Sequence, residues 1–329
     1  MTTDTQEFYL RTVEDQVHDR IPLIHKLKKM NHVVTKGGRY VTKPIGVGMN
    51  TQTQSYGKGE NMNSARDTKR SAAKFTWRYT QTPIKYDVDD EIQNDGPEMI
   101  VDTVAAEVSA AQEDMLVALS KNFFGIYSGT TVSTTGTPAN KPLSINAAFY
   151  GGETTYGGDA TYGGVARTEM GDYWDGNIDD CTTLNAATYV NYNHWDFMVD
   201  KCLRYRGNRK SLLAVCGSDL YRKWKTLVRA KEGDLDLSGE LAKTGFAAFS
   251  IDGVELVLDD NCPSTYFYML DLSTWEWRIS PRRNFKVTPF KWQGENNNGI
   301  DEYLARVLLA HTGLICWKPR NNYMATNMS

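Results

Sequence analysis

Residues 254–290 read VELVLDDNCPSTYFYMLDLSTWEWRISPRRNFKVTPF, and this stretch settles the class of fold. Its segments STYFYMLD (264–271), TWEWRIS (274–280) and FKVTPF (285–290) are rich in aromatic and β-branched residues and are parted by turn formers, the composition of short strands. Just upstream, Asp252-Gly253 interrupts FSIDGVELVL (249–258), and such a pair tolerates the positive φ that a two-residue hairpin needs at both central positions. Just downstream, ARVLLAHTGLICW (305–317) reads as one more strand. Further upstream, KSLLAVCG (210–217) reads as a buried strand, Ser218 as the cap of a helix DLYRKWKTLVRA, and NHWDFMVDKCLRY (193–205) as another helix. Helices followed by a run of strands predict an α+β fold with a discontinuous arrangement, not βαβ winding.

Toward the amino terminus the pattern changes. Ile100, Val104, Val108, Ala111, Met115, Leu119 and Phe123 recur at steps of four and three, which predicts an amphipathic helix of about seven turns. Pro97 suits its first position and Gly125 its end. Before it, VVT, Lys36-Gly37-Gly38 and RYVTKPIGVG predict a strand reversal at the glycines and the start of a β-ribbon. Met49–Ala73 is polar and without apolar period, and Lys74–Thr80 then alternates, placing Phe75, Trp77 and Tyr79 on one face. A strand out, a polar tip of some 25 residues and a strand back predict a tip that touches another molecule. Its cations Lys58, Arg66, Lys69, Arg70 and Lys74 carry that reading, the alternative being a solvated loop. In the first 30 residues, Pro22 predicts a short helix in IPLIHKLKKM. His18, His25 and His32 recur every seven residues, but Pro22 and the β-rich HVV interrupt the helix that would align them on a metal.

A length of 329 residues suggests two domains, and 40% hydrophobic with 23% charged residues is globular composition. Runs such as Leu212–Cys216 and Val307–Ala310 fall far short of a membrane span, and the acidic start MTTDTQEFYL lacks a secretory signal, so a soluble intracellular chain is expected. Five widely spaced cysteines with no Cys-x-x-Cys pair predict reduced, structural thiols. The net charge of −3 hides an asymmetry: residues 1–86 hold 15 Lys and Arg against 7 Asp and Glu, and residues 87–329 hold 22 against 33. A segment of +8 joined to a body of −11 can bind nucleic acid or lie on the acidic body of another copy.

Motifs of catalysis are missing. DVDDE (87–91) and DYWDGNIDD (172–180) lack the order of a calcium loop, and the repeat of Tyr-Gly-Gly at 150, 156 and 162 opens no phosphate-binding helix. There is no nucleophile elbow, zincin motif or Walker lysine, and His194 and His311 lie in apolar contexts. No catalytic residue, cofactor or metal is assigned, and an enzyme is not expected.

The order of parts, IPLIHKLKKMNHVVTKGGRYVTKPIGVG, polar tip, KFTWRYTQTPIKYD, long helix and finally VELVLDDNCPSTYFYMLDLSTWEWRISPRRNFKVTPF, resembles the major capsid proteins of tailed bacteriophages. The most specific pieces are LDDNCPSTYFYML and RRNFKVTPF; residues 126–190 match worst. The resemblance implies a Hong Kong 97-like α+β capsid fold: an N-terminal arm (1–35), an extended loop (36–86), a peripheral domain with a spine helix (87–127 and 275–329) and an axial domain (128–274). It implies a shell protein of the virion, assembled in the host cytoplasm, whose partners are itself in hexamers and pentamers, a portal, a scaffold or decoration protein and packaged DNA bound non-specifically, with no membrane. No coiled coil precedes the arm, from which a separate scaffold or a protease-free route is expected. The inter-subunit contacts are assigned to Lys58, Arg66, Lys69, Arg70, Lys74, Phe75, Trp77 and Tyr79, and the spine-helix core to Ile100, Val104, Val108, Met115 and Leu119. Two other readings stay open: an encapsulin-like shell around protein cargo, and a nucleic-acid-binding protein that stacks bases on Phe75, Trp77 and Tyr79.

Overall fold

A computed structural model describes residues 21–46, 53–62, 70–87, 97–129, 131–133, 136–150, 158–181, 189–205, 207–232, 240–243, 246–292 and 302–328. Its strands are β1 (Val33–Thr35), β2 (Val41–Gly46), β3 (Arg70–Phe75), β4 (Arg78–Asp87), β5 (Thr161–Tyr162), β6 (Val165–Ala166), β7 (Asn177–Asp180), β8 (Leu212–Cys216), β9 (Ala248–Ile251), β10 (Val254–Leu258), β11 (Phe267–Asp271), β12 (Trp275–Ile279), β13 (Lys286–Val287), β14 (Lys291–Trp292), β15 (Glu302–Cys316) and β16 (Tyr323–Thr326). One sheet is organised on the 15-residue β15, which pairs with β12, β13, β14 and β4, while β1 adds to β12. A second sheet has the order β7-β16-β11-β8-β10-β9. The aromatic stretch divides between them: β11 lies in the second sheet and β12 opens in the first.

Period-two patterning explains why the second sheet separates two cores. Leu212, Ala214 and Cys216 of β8 pack with Trp195, Trp224 and Phe267, beneath the helices Tyr192–Leu203 and Ser218–Glu232. Leu213 and Val215 face the other way, into the cluster that contains Tyr268, Leu270, Met324 and the spine helix. That helix, Pro97–Phe123, has 27 residues and lies on β4 and β15. Val108, Met115 and Leu119 are buried in it as expected, and the side chains of Ile100 and Val104 lie outside the described part. It ends at Gly125, where φ is +77° and the Ile126 N–H returns to the Lys121 carbonyl at 3.0 Å. The arm helix Pro22–Lys29 buries Leu23, Ile24 and Leu27 and places the Lys26 ammonium on the Glu255 carboxylate of β10.

Two expectations are corrected. Gly37-Gly38 does not turn a hairpin: β1 runs parallel to β12 and β2 pairs with β3, so the glycines carry the chain from one sheet to another. Arg78–Tyr86, expected in the extended loop, belongs to β4, which is paired with β15 along its whole length. Tyr323–Thr326 is a strand of the second sheet, reached after the 3-10 turn Pro319–Asn321.

Buried polar groups hold the crossing between the sheets. The Asn322 side chain accepts from the Asp271 backbone N–H and the Trp275 indole, both at 2.8 Å, and donates to the Lys318 carbonyl at 3.0 Å. His311 is fully buried: its Nδ1 accepts from the Trp277 indole and its Nε2 meets the Thr80 hydroxyl, both at 3.2 Å. Desolvation depresses its pKa to about 3, so it is a neutral core residue. All five cysteines are free and buried.

Asp259, in the turn after β10, is buried, accepts from the Asn261 N–H with Oδ1 at 3.0 Å, and has no partner for Oδ2 among the described residues. Desolvation, with Asp260 adding repulsion, raises its pKa from 3.8 to about 6. The folded state therefore holds the proton more tightly than the unfolded chain, so this group's penalty sets in as pH rises from about 4 to 6 and is complete above that. At 1.36 kcal/mol per pKa unit the cost is about 3 kcal/mol. Asp259→Asn is expected to melt a few degrees above wild type at pH 8 and level with it at pH 4; a difference that does not change between those pH values would refute the assignment.

Candidate assembly interface

The ribbon exists as two strands, β2 and β3, antiparallel from Val41↔Phe75 to Gly46↔Arg70. Its foot is fixed by burial. Val41, Ala73 and Phe75 point into the body, and Phe75 makes edge contacts with Tyr162 at 5.1 Å and Trp317 at 5.4 Å. Beneath it lies the third Tyr-Gly-Gly, the hairpin of β5 and β6, with Gly163 and Gly164 at φ +62° and +76°. Gly163 is required twice over: its φ is positive, and a Cβ would stand 2.8 Å from Phe75 Cζ. Its carbonyl accepts from the Lys74 N–H at 2.7 Å, which ties ribbon to hairpin.

Arg167 holds the hairpin in turn. Its buried guanidinium donates to the carbonyls of Ala147 at 2.7 Å and Asp159 at 3.1 Å and lies over the Tyr162 ring. Trp174 donates from its indole to the Tyr162 carbonyl. Of the first Tyr-Gly-Gly only Tyr150 and of the second only Gly158 are among the described residues, and DYWDGNIDD supplies β7, with Asp179 accepting from the Tyr323 hydroxyl. Asp87 of DVDDE ends β4, and 88–91 lie outside the described residues.

The side chains singled out in the sequence part company. Lys74 is exposed and rests on the Tyr40 ring at 3.6 Å; Arg70 is exposed; Lys58 lies in the exposed turn of the tip segment 53–62, where the Gly57 N–H meets Glu60 at 2.7 Å. Arg66 and Lys69 lie outside the described residues. Phe75, Trp77 and Tyr79 do not share a face. The strand breaks at Thr76-Trp77, because β3 belongs to the ribbon and β4 to the sheet of β15. Phe75 is buried, Trp77 is half-buried and donates to the Gly38 carbonyl at 2.6 Å, and Tyr79 is 66% exposed beside Arg283. Three rings so disposed cannot stack successive bases.

Sequence reasoning passed over a hollow of about 400 Å³ at the ribbon's foot, lined by Lys74, Arg78 and Lys141, with Asp159 as its only carboxylate among the described residues. Asp159 accepts from the Thr137 N–H at 2.7 Å, and burial raises its pKa. Arg78 and Lys141 are 63 residues apart in the chain, and no local pattern announces that they meet.

No protein-family model and no curated protein matches this sequence. Solved structures do. The capsid asymmetric unit of cyanophage A-1(L) is 13% identical, with 91% of this chain and 90% of that one covered, at a TM-score of 0.59. The chain has the Hong Kong 97-like capsid fold. The capsid of the myovirus XM1 superposes on 92% of this chain and 91% of its own at 11% identity and a TM-score of 0.58. The capsid of the native GTA particle does so over 92% and 90% at 11% identity and a TM-score of 0.52.

Proposed function

We propose that this chain is a major capsid protein: a structural, non-enzymatic subunit whose copies close into the icosahedral head of a tailed phage around double-stranded DNA. The observation that carries the reading is the capsid fold over nine-tenths of the chain, with a ribbon that projects a polar, basic edge. A basic projection on an acidic body is a heterologous contact, which generates rings when its rotation closes. Each contact offsets its ordering entropy by only a few kcal/mol, yet a subunit held by several neighbours leaves only when all release together. A portal and a scaffold or decoration protein are the further partners this role requires. Expression of the chain followed by velocity sedimentation and negative-stain microscopy is expected to show closed shells of uniform diameter. A stable monomer at high concentration would overturn the proposal, and nuclease-resistant DNA in mature particles separates a phage head from a shell around protein cargo.

A further inference from the structure

From the hollow at the ribbon's foot and the shape of the subunit we infer a specific contact: the basic hollow of one copy receives the acid-rich connection 87–96 of the next. Lys74, Arg78 and Lys141 line the hollow, and none has an ion-pair partner among the described residues. Among the described residues its single carboxylate, on Asp159, is engaged by Thr137 and faces Arg167. Three unneutralised cations around a cavity of this size suit a few carboxylate side chains, whereas a nucleic-acid duplex is too wide to enter. The complementary sequence is DVDDEIQNDG, residues 87–96, with five acids and no Lys or Arg.

Geometry makes the contact one between copies. Arg78 is at one end of β4 and Asp87 at the other, nine steps or about 30 Å away. The spine helix, about 40 Å long, runs back along β4. Its last residue, Phe123, packs against Trp277, which bonds His311, and His311 pairs with Arg78, so Pro97 lies at the Asp87 end. Both anchors of the connection are thus far from the chain's own hollow. Reaching it and returning takes about 60 Å, and ten peptide steps extend to no more than about 36 Å. Each subunit carries a basic pole and an acidic pole at opposite ends of one rigid strand, an arrangement for head-to-tail association.

The inference rests on the shell reading, and the experiment separates the two. Lys141→Cys with Asp90→Cys in the full chain, oxidised during assembly, is expected to give a ladder of covalent oligomers on non-reducing electrophoresis; Lys141→Cys with the exposed Asp219→Cys is expected to give none. Shells without a ladder overturn the contact and leave the shell standing. If wild type makes no shells, the shell reading fails, and the ladder is scored in soluble oligomers, where its absence overturns the contact as well. In a second arm, Lys74→Glu, Arg78→Glu and Lys141→Glu together are expected to lower particle yield at least 100-fold, and adding Asp89→Lys, Asp90→Lys and Glu91→Lys to restore it. Wild-type yield with less retained DNA would make the hollow a phosphate site and overturn the inference. Should the reversed chains fail to fold, the cysteine pair decides.

Discussion

A chain in which residues 47–69 are replaced by Asn-Gly is expected to melt within about 2 °C of wild type and to form no shells. The bridge is placed where the register allows it, since Gly46↔Arg70 is the last pair of the ribbon and Asn-Gly closes a two-residue hairpin. The anchors of the foot, Val41, Ala73 and Phe75, are untouched, and the described part of the tip, 53–62, is exposed throughout, so the fold loses little. Assembly loses much. Each subunit forfeits one contact it makes and one it receives; at 1.4 kcal/mol per tenfold, a contact of about 3 kcal/mol is a factor of more than 100, repeated around every ring. Calorimetry reads the first expectation and sedimentation the second. Shells at wild-type yield would remove the tip from assembly altogether.

What the sequence disclosed and what it withheld follow from the range of the interactions involved. The spine helix was legible because its apolar spacing and its Gly125 end are local, and the hairpin at Asp252-Gly253 because both residues needed for it are adjacent: φ is +50° and +75° there. Gly37-Gly38 misled for the same reason. The dipeptide permits a reversal, but whether the chain reverses is decided by β12 and β3, remote partners that take β1 and β2 separately. The alternation of Phe75, Trp77 and Tyr79 was real as a pattern, yet the chain changes sheets at Trp77, and a period of two holds only within one sheet. The hollow could not be read at all, since Lys74, Arg78 and Lys141 meet only after β4 has paired with β15 and the hairpin has docked under the ribbon.

A large loss of stability from a single methyl group is expected at Gly313. Trp277 pairs with Leu314 and Ile279 with His311, so β15 carries one residue more than β12 between these pairs, a bulge. Gly313 stands in it at φ +79°, and Leu143 enters beside it, accepting from the Leu314 N–H at 3.0 Å. A Cβ at 313 would lie 2.3 Å from the Leu143 nitrogen and 2.4 Å from its oxygen, and backbone atoms in a paired segment cannot turn aside as a side chain can. Gly253 is the control: φ is +75°, nearly the same, but nothing lies within 4 Å of its added Cβ. Gly253→Ala therefore costs only the left-handed conformation, about 1–2 kcal/mol. Gly313→Ala costs that and the displacement of Leu143 with its hydrogen bonds, about 3–5 kcal/mol in all, a large share of the 5–15 kcal/mol a folded domain has. Urea unfolding of the two variants measures the difference directly. Equal losses would show that the strand shifts freely at the bulge, and that Gly313 is there for its φ alone.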